Sequence, residues 1–280
     1  WKHLLYMDAT LRGDQSSTLP TNNNVYVYPS FSGSFVFSEL TKLGNLLPYG
    51  KLRMSWAQVG SDTDPYQLGL VYTKSKFTYP GYTIGYINNN TIPNKDLKPT
   101  RTNSFEIGIE TKFLNNRMGL DITYYSQKSK NQIMGMASSW TSGYTYRLIN
   151  AGEIDNKGLE IALNTRPIQT KDFSWDLNLN FSKNSNKVKR LVDDMDMFEL
   201  EKASWLDVQV AAKVGENFGS IVGPDFKRND AGQILINPST GLPEYDKSNH
   251  VLGNASWKWT GGITTTLTYK NLSLKKKLFI

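Results

Sequence analysis

The sequence predicts an all-β chain, an antiparallel transmembrane β-barrel segment with long outer loops and short periplasmic turns. Three observations carry that prediction. Apolar and polar residues alternate over many stretches, those stretches are longer than soluble sheets use, and the connections sort into short turns and long excursions.

The alternation is plainest from Phe173 to Lys183, where Phe173, Trp175, Leu177, Leu179 and Phe181 interleave with Ser174, Asp176, Asn178, Asn180 and Ser182. Successive side chains of a strand point to opposite faces, so one face is apolar and the other polar. Phe105, Ile107 and Ile109 stand in the same relation to Glu106, Glu110 and Lys112, as do Leu120, Ile122 and Tyr124 to Asp121, Thr123 and Tyr125. Leu159, Ile161 and Leu163 oppose Glu160, Asn164 and Arg166. Near the start, Leu5, Met7, Ala9 and Leu11 oppose Tyr6, Asp8, Thr10 and Arg12. Near the end, Trp257, Trp259, Ile263, Leu267 and Tyr269 oppose Lys258, Thr260, Thr264, Thr266, Thr268 and Lys270. Strands of soluble sheets usually run about five or six residues. A tilted strand crossing a bilayer needs about nine to eleven, which these stretches match.

Leu114-Asn115-Asn116-Arg117 is a short polar hairpin turn, and Pro167 to Asp172 is a second compact link. Ser61 to Arg101, Met134 to Asn156 and Asp193 to Ala203 are long excursions instead. A transmembrane barrel sorts its connections this way, with the long loops facing out of the cell. The stretch from Val188 to Ala203 has mixed charges and no period of 3.6, so it reads as loop with room for one helical turn. Trp56, Tyr124, Tyr125, Trp175, Trp257 and Trp259 fall at or near the predicted strand ends, where amphipathic rings favour the lipid–water interface. Aromatic residues are also good strand formers, so this observation supports the barrel without carrying it.

Composition sets the outer bounds. In 280 residues, 39% are hydrophobic and 20% charged, which excludes a disordered chain. No stretch approaches the roughly 18 consecutive apolar residues of a membrane helix. The mean hydropathy of −0.46 is compatible with barrel strands, half of whose side chains are polar. There is no cysteine, which removes disulfides and cysteine-ligated zinc. Asn-x-Ser/Thr triplets such as those at Asn89, Asn254 and Asn271 are what an Asn- and Thr-rich chain produces by chance. The net charge is +7, and the basic runs Lys187 to Arg190 and Lys275 to Lys277 sit beside strand patterns. They read as solvated strand ends rather than as a phosphate-binding stripe.

No arrangement of side chains points to bond chemistry. His3 and His250 are far apart in sequence and have no cysteine to join them in a metal site or a catalytic group. Asp193, Asp194 and Asp196 with Glu199 and Glu201 lack the glycine and terminal glutamate of a calcium-binding loop, and read as a solvated loop. Glu106, Glu110 and Glu160 could be paired acids for glycoside hydrolysis. In a polar barrel lumen they are expected to be charge-paired wall residues. Gly81 and Gly85 lie in a Tyr-rich stretch with no following helix, so they form no phosphate loop. Trp140, Tyr144 and Tyr146 lie in an aromatic loop that could stack on sugars or other flat ligands, and they are the candidate substrate-binding residues. No cofactor, metal or nucleic acid is expected.

Several stretches together resemble SusC/RagA-type TonB-dependent receptors of Bacteroidetes. Leu11-Arg12-Gly13-Asp14-Gln15-Ser16-Ser17, then Tyr28-Pro29-Ser30 and Ser38-Glu39, is similar to the family's "R-x-D-x-S-S … P-S … S-E" run. Leu52-Arg53-Met54-Ser55 with Gly60 resembles "L-R-x-S-x-x-x-x-G". Leu97-Lys98-Pro99 through Ser104-Phe105-Glu106-Ile107-Gly108 resembles "L-K-P-E-x-T-x-S-x-E-x-G", and Asp121 to Tyr125 resembles "D-x-x-Y-Y". Asn150-Ala151-Gly152 with Asn156-Lys157-Gly158-Leu159-Glu160 is similar to "N-x-G-x-x-x-N-x-G-x-E". Leu252-Gly253-Asn254 with Gly261-Gly262 resembles "G-N-x-x-P-x-x-x-G-G", though Ser256 and Trp257 occupy the stretch where the family has proline.

The resemblance implies an outer-membrane barrel with an N-terminal plug, energised by TonB. It also implies import of oligosaccharides or peptides under a SusD-like surface lipoprotein. Residues 1–280 are then expected to be part of one barrel domain, about half of a large one, without plug, TonB box or final strands. Two other readings of the strand pattern stand beside it: a small porin-like barrel of about ten to twelve strands, and a soluble extracellular carbohydrate-binding β-protein.

Overall fold

In the computed structural model, residues 4–40, 44–70, 72–77, 79–87, 91–192, 195–203 and 207–279 are described. The wall is built from long antiparallel strands: β1 (Leu5–Gln15), β2 (Val25–Phe35), β3 (Tyr49–Ser61), β7 (Thr100–Phe113), β8 (Met118–Ala137), β9 (Tyr146–Gln169), β10 (Phe173–Arg190), β15 (Thr260–Tyr269) and β16 (Leu272–Phe279). Each pairs with the next in that order, so β1 and β16 are the two edges of the sheet. Between β3 and β7 lie β4 (Tyr72–Lys74), β5 (Gly85–Ile87) and β6 (Thr91–Ile92). Between β10 and β15 a separate four-stranded sheet contains β11 (Met197–Lys202), β12 (Gln209–Lys213), β13 (Ser220–Phe226) and β14 (Tyr245–Asn254).

Register gives the wall its two faces. Leu5, Phe35, Leu52, Ile109, Ile122, Ile161 and Phe181 are successive cross-strand partners and form one apolar row across seven strands. A second row runs through Leu120, Leu163, Leu179, Ile263 and Leu278. One residue away in every strand, the facing row is Ser34, Arg53, Gly108, Thr123, Glu160, Ser182 and Thr260. A one-residue slip in any strand would exchange these faces, so the alternation and the register fix each other.

The wall contributes almost nothing to a conventional core. Among the described residues, the buried hydrophobic side chains include Leu19, Leu97, Val188, Leu191, Ala212 and Val222, all at or beyond the outer rim. One cluster joins Leu19 of the first outer loop, Tyr26 of β2 and Leu97 of the second, with Ile133 of β8 and Leu148 of β9 packed against it. Another joins Val188 of β10 to Leu191 and Ala212, with Phe198 and Phe218 around them. The bilayer covers one wall face and the lumen hydrates the other, so apolar packing within the protein begins where the membrane ends.

The loop asymmetry is present. Residues 114–117, 170–172 and 270–271 connect strands at one rim, whereas 62–99, 138–145 and 191–259 lie at the other. A thirteen-residue link at 36–48, with a 3₁₀ turn at Phe37–Glu39, is the longest at the short-turn rim.

The structure corrects several boundaries read from the sequence. Met134 to Asn156 is mostly strand, since β8 reaches Ala137 and β9 starts at Tyr146. Val188 to Ala203 holds the end of β10 and all of β11, with no helical turn among its described residues. Both stretches stand above the apolar belt, where water reaches both faces and no alternation is required. Pro167 and Ile168 belong to β9 rather than to a turn. The register shifts beside Trp175 and Leu177, and this bulge accommodates a proline that has no N–H for the ladder. Asp193 and Asp194, proposed as loop acids, lie outside the described residues, as does His3.

Candidate functional site

The inner face carries the chemistry of the wall. Arg53 of β3 reaches across β7 to β8, where Nη1 and Nη2 donate to Asp121 Oδ2 and Oδ1 at 2.8 and 2.7 Å. Thr123 Oγ1 also accepts from Nη2 and donates to Asp121 Oδ1 at 3.1 Å. The strand crossed has glycine at the crossing point: a Cβ on Gly108 would lie 2.7 Å from Arg53 Nε. Gly108 thus leaves the channel in which the guanidinium lies, and a two-pronged charge-assisted pair spans three strands.

The same device recurs. Tyr125 of β8 lies across Gly158 of β9, where a Cβ would collide with the ring, and its hydroxyl donates to Asn184 Oδ1 of β10 at 3.3 Å. Asn180 of β10 covers Gly262 of β15 in the same sense. Each strut points towards the later strand, so the inner lining is braced in one direction. Around Arg53 the Lys51–Glu110 pair closes at 2.9 Å, and Glu106 and Glu110 each lie 4.0 Å from the guanidinium. The acids Glu106 and Glu110 are therefore charge-paired wall residues, as a polar lumen requires. Arg53, Asp121, Thr123, Glu160, Asn180 and Ser182 border a hollow of about 920 Å3. Lys51, Arg53, Glu106, Glu110, Asp121 and Glu160 share this face, and Lys112, Arg166 and Asp176 continue it towards the short-turn rim, so charges of both signs line the wall.

Four aromatic residues are placed differently from the expected interfacial girdle. Tyr125 faces inward, because it follows the outward Tyr124 in a strand that continues well past the bilayer. Trp257 borders the inner hollow rather than the lipid face. Trp56 and Tyr124 lie within long strands and not at their ends, because these strands overshoot the apolar belt. Trp175 keeps an interfacial pattern near the short-turn rim, its Nε1 donating to Thr265 Oγ1 at 2.9 Å. Trp259 stacks on Phe181 with centroids 5.9 Å apart.

At the outer rim the loops are fastened at their roots. Ser16 and Thr18 of the first loop donate to Asp62 Oδ2 at 2.5 and 3.1 Å, tying that loop to the start of the second. The Ser16 hydroxyl, and then that of Thr18, hold the Asp62 carboxyl below the usual carboxylate range against the opposing effect of burial. The second loop returns through Leu97-Lys98, which Asn150 grips from both sides. Lys98 N donates to Asn150 Oδ1 at 2.7 Å, and Asn150 Nδ2 donates to Lys98 O at 2.6 Å and to Asn131 O at 3.1 Å. In the four-stranded sheet, Ser248 and then His250 hold the exposed Asp246 carboxyl down at about 2.

The three ligand residues expected from sequence converge on one outer loop. Trp140 opens the 3₁₀ turn Trp140–Ser142, Tyr144 follows half-buried, and Tyr146 begins β9 with its side chain exposed. No cluster of acids and histidines able to hold a metal occurs among the described residues. Arg53, Asp121, Tyr125 and their glycines were not singled out as a site from sequence. Their one signal was membership of the motifs "L-R-x-S", "S-x-E-x-G", "D-x-x-Y-Y" and "N-x-G-x-E", which register brings side by side.

Comparison with known proteins agrees with this geometry. A family profile described as TonB dependent receptor-like, beta-barrel, matches residues 5–271. The TonB-dependent receptor P3 of Formosa agariphila is 26% identical over 95% of this chain and 29% of its own length. The TonB-dependent receptor SusC of Bacteroides thetaiotaomicron is 29% identical over 68% of this chain and 20% of its own. Among solved structures, the RagAB peptide transporter superposes with a TM-score of 0.82 at 21% identity, covering 99% of this chain and 31% of that one. The chain therefore spans about a third or less of the length of these relatives. They are receptors and transporters of the outer membrane, not enzymes. The chain belongs to the TonB-dependent receptor-like β-barrel family of the outer membrane.

Proposed function

We propose that this chain is wall and outer loops of a longer TonB-dependent importer that carries oligosaccharides or peptides across the outer membrane. The observation that carries the reading is the unbroken succession of paired strands from β1 to β16, apolar on one face and charged on the other. Such a wall is suited to lipid outside and a hydrated passage inside. The greater length of the relatives leaves room for a plug, a TonB-binding segment and further strands in the parent protein. The pairing named in RagAB supports a SusD-like surface lipoprotein as partner over the outer loops, and its description as a peptide transporter supports peptides among the cargo classes. Trp140, Tyr144 and Tyr146 are the proposed ligand contacts of the outer loops.

The test is uptake. Deleting the parent gene is expected to abolish growth on at least one oligosaccharide or peptide source, and dissipating the proton gradient in wild-type cells is expected to stop uptake of that source. Undiminished growth of the deletion strain on every such source would sink the proposal.

A further inference from the structure

The outer loop from 62 to 99 carries an arm that the wall does not need. β4 and β5 form a hairpin in a sheet of their own, with Tyr72 opposite Ile87 and Thr73 opposite Tyr86. Beyond them Tyr79-Pro80-Gly81-Tyr82 makes a tight turn. Tyr82 N donates to Tyr79 O at 2.8 Å, and Gly81 sits at φ +82°, as the third residue of a type II turn requires after proline. The turn holds the Tyr79 and Tyr82 rings 6.4 Å apart, and they are 67% and 71% exposed. Tyr72 is exposed as well. The arm is anchored at its root by the Asp62 and Asn150 contacts, and β6 pairs in parallel with Tyr146 and Arg147 of β9. The rings are thus displayed from a fixed base, beside the outer loop that holds Tyr144 and Tyr146.

Charge says what these rings would meet. No carboxylate occurs between Asp64 and Asp96, whereas Lys74 and Lys76 lie on the arm, both exposed, and Arg147 lies beside its root. Exposed tyrosines present flat apolar faces with polar edges, a shape that lies against the C–H faces of sugar rings, the cargo class of the proposed importer. Two exposed lysines in a stretch of chain that carries no carboxylate add attraction for anionic groups.

We infer that the β4–β5 arm is a capture site for acidic oligosaccharides, its tyrosines stacking on sugar faces and Lys74 and Lys76 pairing with carboxylate or sulfate groups. The inference builds on the proposed importer, since it names one ligand class for that protein's outer face. The test uses the full-length receptor in detergent, with fluorescent oligogalacturonate and a sulfated carrageenan oligosaccharide as probes. Maltoheptaose and polyglutamate serve as the neutral-sugar and acidic-peptide comparisons.

Binding of either acidic oligosaccharide is expected to weaken at least tenfold in Tyr79→Ala/Tyr82→Ala and in Lys74→Gln/Lys76→Gln. Heat-modifiable gel mobility would show that both variants remain folded. Equal binding of maltoheptaose, binding of polyglutamate alone, no binding of either acidic probe, or wild-type affinity in the folded variants would each overturn the inference. If the arm binds but uptake fails the gene-deletion test, the importer reading falls alone. If uptake stands and the arm is silent, only this inference falls.

Discussion

Arg53 shows what a single residue can do in a wall that has no core. Its side chain bridges β3 to β8 only because Gly108 leaves the space above β7 empty. The Arg53 and Asp121 side chains are 29% and 35% exposed, so solvent screening keeps the worth of the pair at about 1 kcal/mol. The arrangement predicts a coupling. Arg53→Ala and Gly108→Val should each lower stability in lipid vesicles, but Gly108→Val should cost clearly less once Arg53 is already alanine. Simple additivity in a double-mutant cycle would count against the strut. Asp62 gives a pH prediction at the outer rim. Its folded pKa lies below the usual 3.8, so the fastening of the first loop is present above that value. It is lost as pH falls through the depressed folded value. Amide protection in residues 16–24, taken relative to the intrinsic exchange rate at each pH, should fall below about pH 3.8 in wild type and be low already at neutral pH in Asp62→Ala. Unchanged protection across that range in the wild-type loop would contradict this.

Among elements, the hairpin turn between β7 and β8 is both legible and strained. Leu114, Asn115 and Asn116 all take positive φ, at 50°, 56° and 63°. Asparagine tolerates this region, whereas a leucine side chain there costs about 1 kcal/mol. Leu114→Gly is therefore expected to raise the denaturant midpoint slightly, the gain being at most about 0.5 kcal/mol because the entropy that glycine adds to the unfolded chain offsets most of the strain relieved. An unchanged or lowered midpoint would mean that Leu114 makes a compensating contact. The long strands β8, β9 and β10 follow a different logic. Their lower halves sort residues by face, while at the level of Ser126, Lys157 and Ser185 the outward row has become polar. The sequence marks the membrane-crossing half of each strand and falls silent where water bathes both sides.

The whole molecule is organised by its surroundings rather than by a buried centre. Neighbouring rows make this testable, because Ile161 faces lipid while Ser182 faces the lumen beside Glu160. Ile161→Lys should cost about 2–4 kcal/mol of folding stability in vesicles, as a cation at mid-bilayer does. Ser182→Lys should cost far less and leave heat-modifiable mobility intact. Equal costs would mean that the faces have been assigned wrongly.

Alternation, strand length and loop sorting determined the wall on their own, and the ordered motifs carried the resemblance to its family. These signals are local, because the bilayer imposes its two-faced demand on each strand separately. The Arg53–Gly108–Asp121 and Tyr125–Gly158–Asn184 struts were visible only as scattered motif letters, since cross-strand register joins residues that are 59 and 68 positions apart in sequence. The extension of β8 to β10 beyond the membrane, the placement of Trp257 beside the inner hollow, and the rim packing of Leu19, Leu97 and Val188 were decided by tertiary structure alone. Their cause is non-local: each depends on which chain segment lies alongside, and alternation within a segment does not encode its neighbour.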